Sequence, residues 1–170
     1  MLNFATEIMS SPSLKQLILA RLKFVRRDLD EVFTRLSDDI VKWAPGEGVR
    51  PIDDQFLEIG MNEVMAIALL RDGIELSHAE AEATLVNSST VESFKKMLGD
   101  VRQSTIDYIE SLSEEQLAEA VVASNPWYAS FGLPKVPRYD ALTSIALHEH
   151  YHIAQLITSL WVKGDDPYAW

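Results

Sequence analysis

The sequence contains no cysteine. That absence excludes disulfides, thiolate metal sites and a cysteine nucleophile together, and it suits the reducing cytoplasm expected for this chain. Positive charge is scarce as well: 15 Lys and Arg stand against 26 Asp and Glu, for a formal net charge of −11 and a pI near 4.7. Such a chain lacks the electrostatic footprint that binds a phosphate backbone, so no nucleic-acid partner is expected. The longest basic cluster, Arg21, Lys23, Arg26 and Arg27, runs straight into Asp28, Asp30 and Glu31 and reads as a solvated helix face. Long apolar runs are missing too: none approaches the roughly 18 residues of a membrane span. Met1 to Ser13 lacks the basic start and apolar stretch of a signal peptide. These absences leave a soluble intracellular protein with no membrane partner as the expectation.

What is present is ordinary globular material. A chain of 170 residues, 47% hydrophobic and 24% charged, is long enough to bury a core and fits one domain over residues 1–170. Its hydrophobic spacing is helical almost throughout. From Leu14 to about Leu36 the apolar residues Leu14, Ile18, Leu22, Val25, Leu29, Val32, Phe33 and Leu36 recur mostly three or four apart, with Pro12 in the first turn. Ala44-Pro45-Gly46-Glu47-Gly48 breaks the pattern, and a second helix is expected from Pro51 to about Arg71, ending at Asp72-Gly73. Ser77-His78-Ala79-Glu80 opens a short helix. Ser89-Thr90-Val91-Glu92 opens a long one through Leu112, and Ser113-Glu114-Glu115-Gln116 opens another short one to about Val122. Asn125 to Pro137 reads as an ordered loop in which Trp127, Tyr128 and Phe131 are candidate pocket residues. A last helix runs from about Tyr139 to Val162 and stops at Lys163-Gly164. With no series of alternating strands, the fold class is all-α, a four-helix bundle with at most two short strands.

The chemistry concentrates near the C-terminus. Of the four histidines, three fall in His148-Glu149-His150-Tyr151-His152. At ~100° per residue, His148 and His152 lie within about 40° of each other beside the apolar face, Gln155 extends their stripe, and His150 points away. Two imidazoles one turn apart are what a helix offers to a single metal ion. His78, in the first turn of a capped short helix, reads as exposed. Glu149 falls inside the apolar face with no partner evident from the sequence. His148-Glu149-x-x-His152 also matches the zinc-protease pattern, in which the Glu activates water, and Asp165 or Asp166 would be a third ligand there. Those proteases align substrate on a sheet edge, and no sheet is expected here.

The arrangement along nearly the whole chain resembles the DinB-like superfamily, also called DinB/YfiT-like metalloenzymes. The resemblance rests on His148-x-x-x-His152-x-x-Gln155 in the last helix. It rests equally on the polar turn from Leu36-Ser37-Asp38-Asp39 to Trp43-Ala44-Pro45-Gly46, leading through Pro51-Ile52-Asp53-Asp54 into the second helix. It implies a four-helix bundle whose metal is held by one His of the second helix and the H-x-x-x-H pair of the last. The position of that second-helix His carries Glu58, which shares a stripe with Asn62 and Met65. Two imidazoles and one carboxylate are therefore the expected ligands: Glu58, His148 and His152, with Gln155 and Asn62 as candidates for the surrounding hydrogen bonds. The metal is a divalent transition ion, with zinc, nickel, iron and manganese all open. The resemblance further implies transfer or isomerisation of a small-molecule substrate using a low-molecular-weight thiol, and a homodimer. Leu17 and Phe24, roughly 100° off the main apolar face of the first helix, are the candidate contact. The alternative reading is a non-catalytic, stress-related dimeric bundle whose metal site has decayed.

Overall fold

In a computed structural model, which describes residues 11–85, 88–122 and 127–170, four long helices form the body of the protein. In chain order the helices are α1 (Leu14–Thr34), α2 (Ile52–Ile67), α3 (His78–Thr84), α4 (Val91–Ser111), α5 (Glu114–Ala118), α6 (Trp127–Ser130) and α7 (Arg138–Lys163). Strands β1 (Ala120–Val122) and β2 (Lys135–Pro137) pair antiparallel, Val121 opposite Val136, and make the only sheet among the described residues. None of the described helices is long and apolar enough to cross a membrane.

The helices form where local rules place them. Capping boxes start α1 (Ser13 with Gln16), α3 (Ser77 with Glu80), α4 (Thr90 with Ser93) and α5 (Ser113 with Gln116). Two starts differ from expectation. Pro12 stays outside α1, because the Ser13 hydroxyl takes the cap and accepts from the Gln16 amide. The α4 box sits one residue later than Ser89–Glu92. Ser93 Oγ collects the amides of Ser89 and Thr90, so the extended residue before the helix is Thr90. The expected helix to Val122 ends at Ala118, since residues 120–122 pair with β2 instead. Asn125 and Pro126 of the expected loop lie outside the described residues, as does the side chain of Trp127. Tyr128 is buried in the core, and Phe131 is exposed.

α1 packs against α4 and α7, and α2 packs against the same two, so α1 and α2 sit diagonally across the bundle and α2 and α7 are neighbours. The buried stripe of α1 is Ile18, Leu22, Val25, Leu29, Val32 and Phe33, and it meets Phe56 of α2 and Phe94 of α4 in one continuous core. Phe33 stacks on Phe56 at 4.7 Å, and Phe56 contacts Phe94 at 5.4 Å. α2 does not simply stop. It loosens into a π-helical turn over Ala68–Asp72 before Gly73 closes it at φ 69°, a left-handed conformation natural to glycine. The Leu70 carbonyl then accepts from the Tyr108 hydroxyl (2.7 Å) and the Arg138 guanidinium (2.7 Å), pinning the end of α2 to α4 and to the start of α7.

At the other end of α2, the 37–50 turn covers both helix starts. The carbonyls of Trp43 and Val41 accept from the amides of Ile52 and Asp53, and Asp38 accepts from the Val91 amide at 2.7 Å. This turn delivers Arg50 beside the first turns of α2.

Through the centre runs a second kind of glue. Arg26 (α1), Glu63 (α2), Arg102 (α4) and Glu149 (α7), one residue from each long helix, form a charge-balanced cluster. Glu63 and Glu149 are each 1% exposed and Arg102 is 5% exposed. Arg102 grips Glu63 with Nε to Oε1 at 2.7 Å and Nη2 to Oε2 at 2.9 Å, donates to Glu149, and donates to the Leu22 carbonyl at 3.1 Å. Arg26 donates to the second oxygen of Glu149 at 2.8 Å and to the Leu98 carbonyl at 2.8 Å. Arg26 therefore turns inward and does not belong to a solvated face. Glu149, without a partner in the sequence reading, has two.

Candidate metal centre

The three expected ligands converge. Ligand atoms of Glu58, His148 and His152 all lie within 4.8 Å of one another, the carboxylate coming from α2 and both imidazoles from α7. The spacing of one helical turn brings the Nε2 atoms of His148 and His152 to 3.3 Å. Two nitrogens bound at ~2.0–2.1 Å to a tetrahedral ion stand ~3.3–3.4 Å apart, so the pair already has the separation of neighbouring ligands.

The hydrogen bonding of His152 fixes which nitrogen is free. Gln55, 2% exposed and one turn before Glu58 on α2, places its amide oxygen 2.5 Å from His152 Nδ1. An amide oxygen only accepts, so Nδ1 carries the proton and donates. The neutral ring then keeps its lone pair at Nε2, the atom facing His148. This arrangement, a ligand imidazole oriented through its other nitrogen, is the usual support of a metal-binding histidine.

Electrostatics keeps both rings neutral. Burial pushes the His148 imidazole below its ordinary value, with Glu58 pulling it up and Arg50 pushing it down. Burial lowers His152 to about 4, helped by His148 and Arg50 and opposed by Glu58. Neutral imidazoles are the form that ligates. A stability consequence follows for the metal-free protein. Groups whose proton affinity is depressed on folding contribute stability that is complete above the unfolded histidine value of about 6.5. That contribution is lost as pH falls through the folded values. Between roughly pH 6.5 and 4, urea midpoints are expected to fall with acidification, and replacing His152 with Gln should flatten that slope. An unchanged slope would show that the His152 ring charges freely in the folded state.

Glu58 lies at the rim, not in the bundle interior. Its side chain is 22% exposed, and its Oε1 accepts from Arg50 Nη1 at 2.5 Å. Gln155 and Asn62 are half-buried, and among the described residues neither side chain hydrogen-bonds to the histidines. The partner of His152 is Gln55, not Gln155. His78 and His150 are exposed. Glu149 is no zinc-protease base: both its oxygens are engaged by Arg26 and Arg102 in the buried cluster. Sequence reading missed Gln55, Arg50 and the cluster. The signals were there in part, since Glu63 interrupts the apolar run of α2 and Arg102 falls between Leu98 and Thr105 on the inner stripe of α4.

The sequence model of the DinB superfamily matches residues 21–156, a stretch holding all three ligand candidates. The chain belongs to the DinB superfamily. Among solved structures, a conserved protein from Enterococcus faecalis superposes with a TM-score of 0.63 at 14% identity, covering 89% of this chain and 98% of the other. At that identity the likeness concerns the fold alone. No curated protein matches the chain. The superfamily includes metal-binding members, and the Glu58, His148 and His152 cluster is a candidate site of that kind.

Proposed function

We propose that this DinB-superfamily protein is a metal-dependent enzyme that holds one divalent transition ion, zinc, nickel, iron or manganese, through Glu58, His148 and His152. The observation that supports this reading is the convergence of one carboxylate and two Nε2 atoms, with the lone pair of His152 directed by Gln55. Three protein ligands leave coordination positions for water or substrate, the pattern of catalytic rather than structural sites. When bound, such an ion lowers the pKa of a coordinated thiol or water and so supplies a nucleophile at neutral pH. The chain has no cysteine, so a thiol reagent for transfer or isomerisation would be a separate low-molecular-weight molecule. The chain's own part is to hold His152 in one tautomer through Gln55 and to keep both imidazoles uncharged by burial.

The test is elemental analysis of the purified wild type beside Glu58→Ala and His152→Ala. One metal per chain in the wild type and loss in both variants is expected. Equal content in all three places the metal elsewhere, and loss in His152→Ala alone makes Glu58 a bystander. The Arg50–Glu58 ion pair favours a second reading, a non-catalytic bundle with a decayed site, because it satisfies the carboxylate without an ion. A metal-free wild type after growth in metal-supplemented medium selects that reading.

We also propose that two copies pair through α1 and α7. Leu17, Phe24 and Leu147 are 39%, 54% and 59% exposed, and together they border a cavity of about 720 Å³ between these helices. Light scattering at micromolar concentration should give twice the 19.1 kDa chain mass, and Phe24→Glu should halve it. A monomer mass for the wild type rejects the pairing.

A further inference from the structure

A cavity of about 480 Å³ opens beside the triad, between the turn ending at Arg50 and the outer face of α7, with Val49, Gln55, Tyr151, Gln155 and Thr158 among its walls. That volume suits a small molecule. Among the described residues Arg50 is its only charged wall residue, in a chain of net charge −11. The cavity shares two residues with the triad's supports: Gln55, which holds His152, and Arg50, which holds Glu58. The Arg50 side chain is 44% exposed and, among the described residues, has one ionic partner, the Glu58 carboxylate. On the opposite wall the half-buried Gln155 side-chain amide makes no hydrogen bond among the described residues, which leaves both its donor and its acceptor for a visitor.

From these observations we infer that the cavity is a subsite for a small molecule bearing a carboxylate, which Arg50 grips and Gln155 flanks. The class of ligand follows from what Arg50 already holds. A guanidinium fits a planar carboxylate with directed, charge-assisted hydrogen bonds, and here it is engaged by a carboxylate of its own chain. Glu58 is thus an internal competitor for the ligand. Once the Glu58 oxygens turn to a metal ion, Arg50 is released, and an external carboxylate replaces the internal one charge for charge. Metal loading and carboxylate binding then reinforce one another, and by linkage each tightens the other by the same factor. This coupling rests on the proposed metal site, whereas the Arg50 subsite itself does not.

The test uses glutarate as probe and the neutral glutaramide as control, titrated by calorimetry into metal-free protein. Glu58→Gln removes the competitor without metal, so this variant should bind glutarate about tenfold or more tightly than wild type, and glutaramide should gain nothing. Adding Arg50→Gln to Glu58→Gln should abolish the gain. Equal glutarate binding in the single and double variants, or equal binding of glutarate and glutaramide, overturns the subsite. Thermal melts of each variant confirm folding, which substitution at these two partly exposed positions should leave intact. In a second arm, zinc added to wild type should tighten glutarate binding, and Arg50→Gln should remove that effect. If zinc tightens glutarate equally in both, the carboxylate sits on the ion and the subsite is wrong. If neither zinc nor nickel, iron or manganese binds, the metal reading fails, and the first arm still decides the Arg50 subsite.

Discussion

Arg102→Met is expected to destabilise the protein by about 3–5 kcal/mol, read as a lower urea midpoint with an unchanged slope. The reason is what remains behind. Glu63 and Glu149, each 1% exposed, lose the guanidinium that contacts both of them. Arg26 compensates only in part, because its Nε is committed to Glu149 and its Nη2 reaches Glu63 only at 3.7 Å, an ion pair without a hydrogen bond. The Leu22 carbonyl also loses its donor. A carboxylate stranded in a low-dielectric core costs far more than the same change at the surface. Breaking the exposed Lys96–Asp100 pair, 2.6 Å long, should therefore leave the midpoint almost where it was. Arg102→Lys retains the charge and loses the two-pronged grip, so it should fall between wild type and Arg102→Met. Removing the stranded charge as well, in Arg102→Met with Glu63→Gln, should recover part of the loss. A loss below about 1 kcal/mol for Arg102→Met would mean that water reaches the cluster and shares its solvation.

The cluster also shows where sequence reading reaches and where it stops. The α1 stripe from Ile18 to Phe33 was legible because helical periodicity is local: the residues that share a face are three or four apart. His148 and His152 were legible for the same reason, and Glu58 stood out as a carboxylate on a largely apolar helix. The DinB resemblance supplied what periodicity could not, that α2 and α7 face each other at these positions. Partner identity was not legible. Gln55 meets a histidine 97 residues away, and Arg102 meets Glu63 and Glu149 at separations of 39 and 47. Which side chains touch at such distances depends on the relative rotation and register of packed helices, and no single segment encodes either. Arg26 shows the error that results. In sequence it stands among Lys23, Arg27 and Asp28 like any solvated charge, yet it lies one turn from Leu22 on the side that closes against α4 and α7. The Thr90 cap is a smaller case: Ser89 fits the Ser-x-x-Glu pattern, but a serine, Ser93, completes the box on Thr90, a pairing the pattern does not include.

The second large effect is expected at Gln55. On the proposed metal reading, replacing it with leucine, close in volume, should weaken metal binding by about 10–100-fold while leaving the fold intact, measured by competition with a chelating dye. The substitution leaves His152 Nδ1–H buried without an acceptor, so the ring gains by moving its proton to Nε2 or by rotating. Either response removes the lone pair from the ligand position, and the 3.3 Å approach of His148 then accommodates a hydrogen bond more readily than an ion. Nitrogen-15 shifts of His152 in metal-free protein give the independent readout: Nδ1 protonated in wild type, and a mixed or Nε2-protonated ring in Gln55→Leu. Gln55→Glu keeps an acceptor facing Nδ1 and makes the imidazole more basic, so it should hold the wild-type tautomer and retain metal. If Gln55→Leu binds metal as wild type does and keeps the wild-type nitrogen shifts, the tautomer is imposed elsewhere. The 2.5 Å contact between α2 and α7 would then be packing rather than an orienting device for the metal ligand.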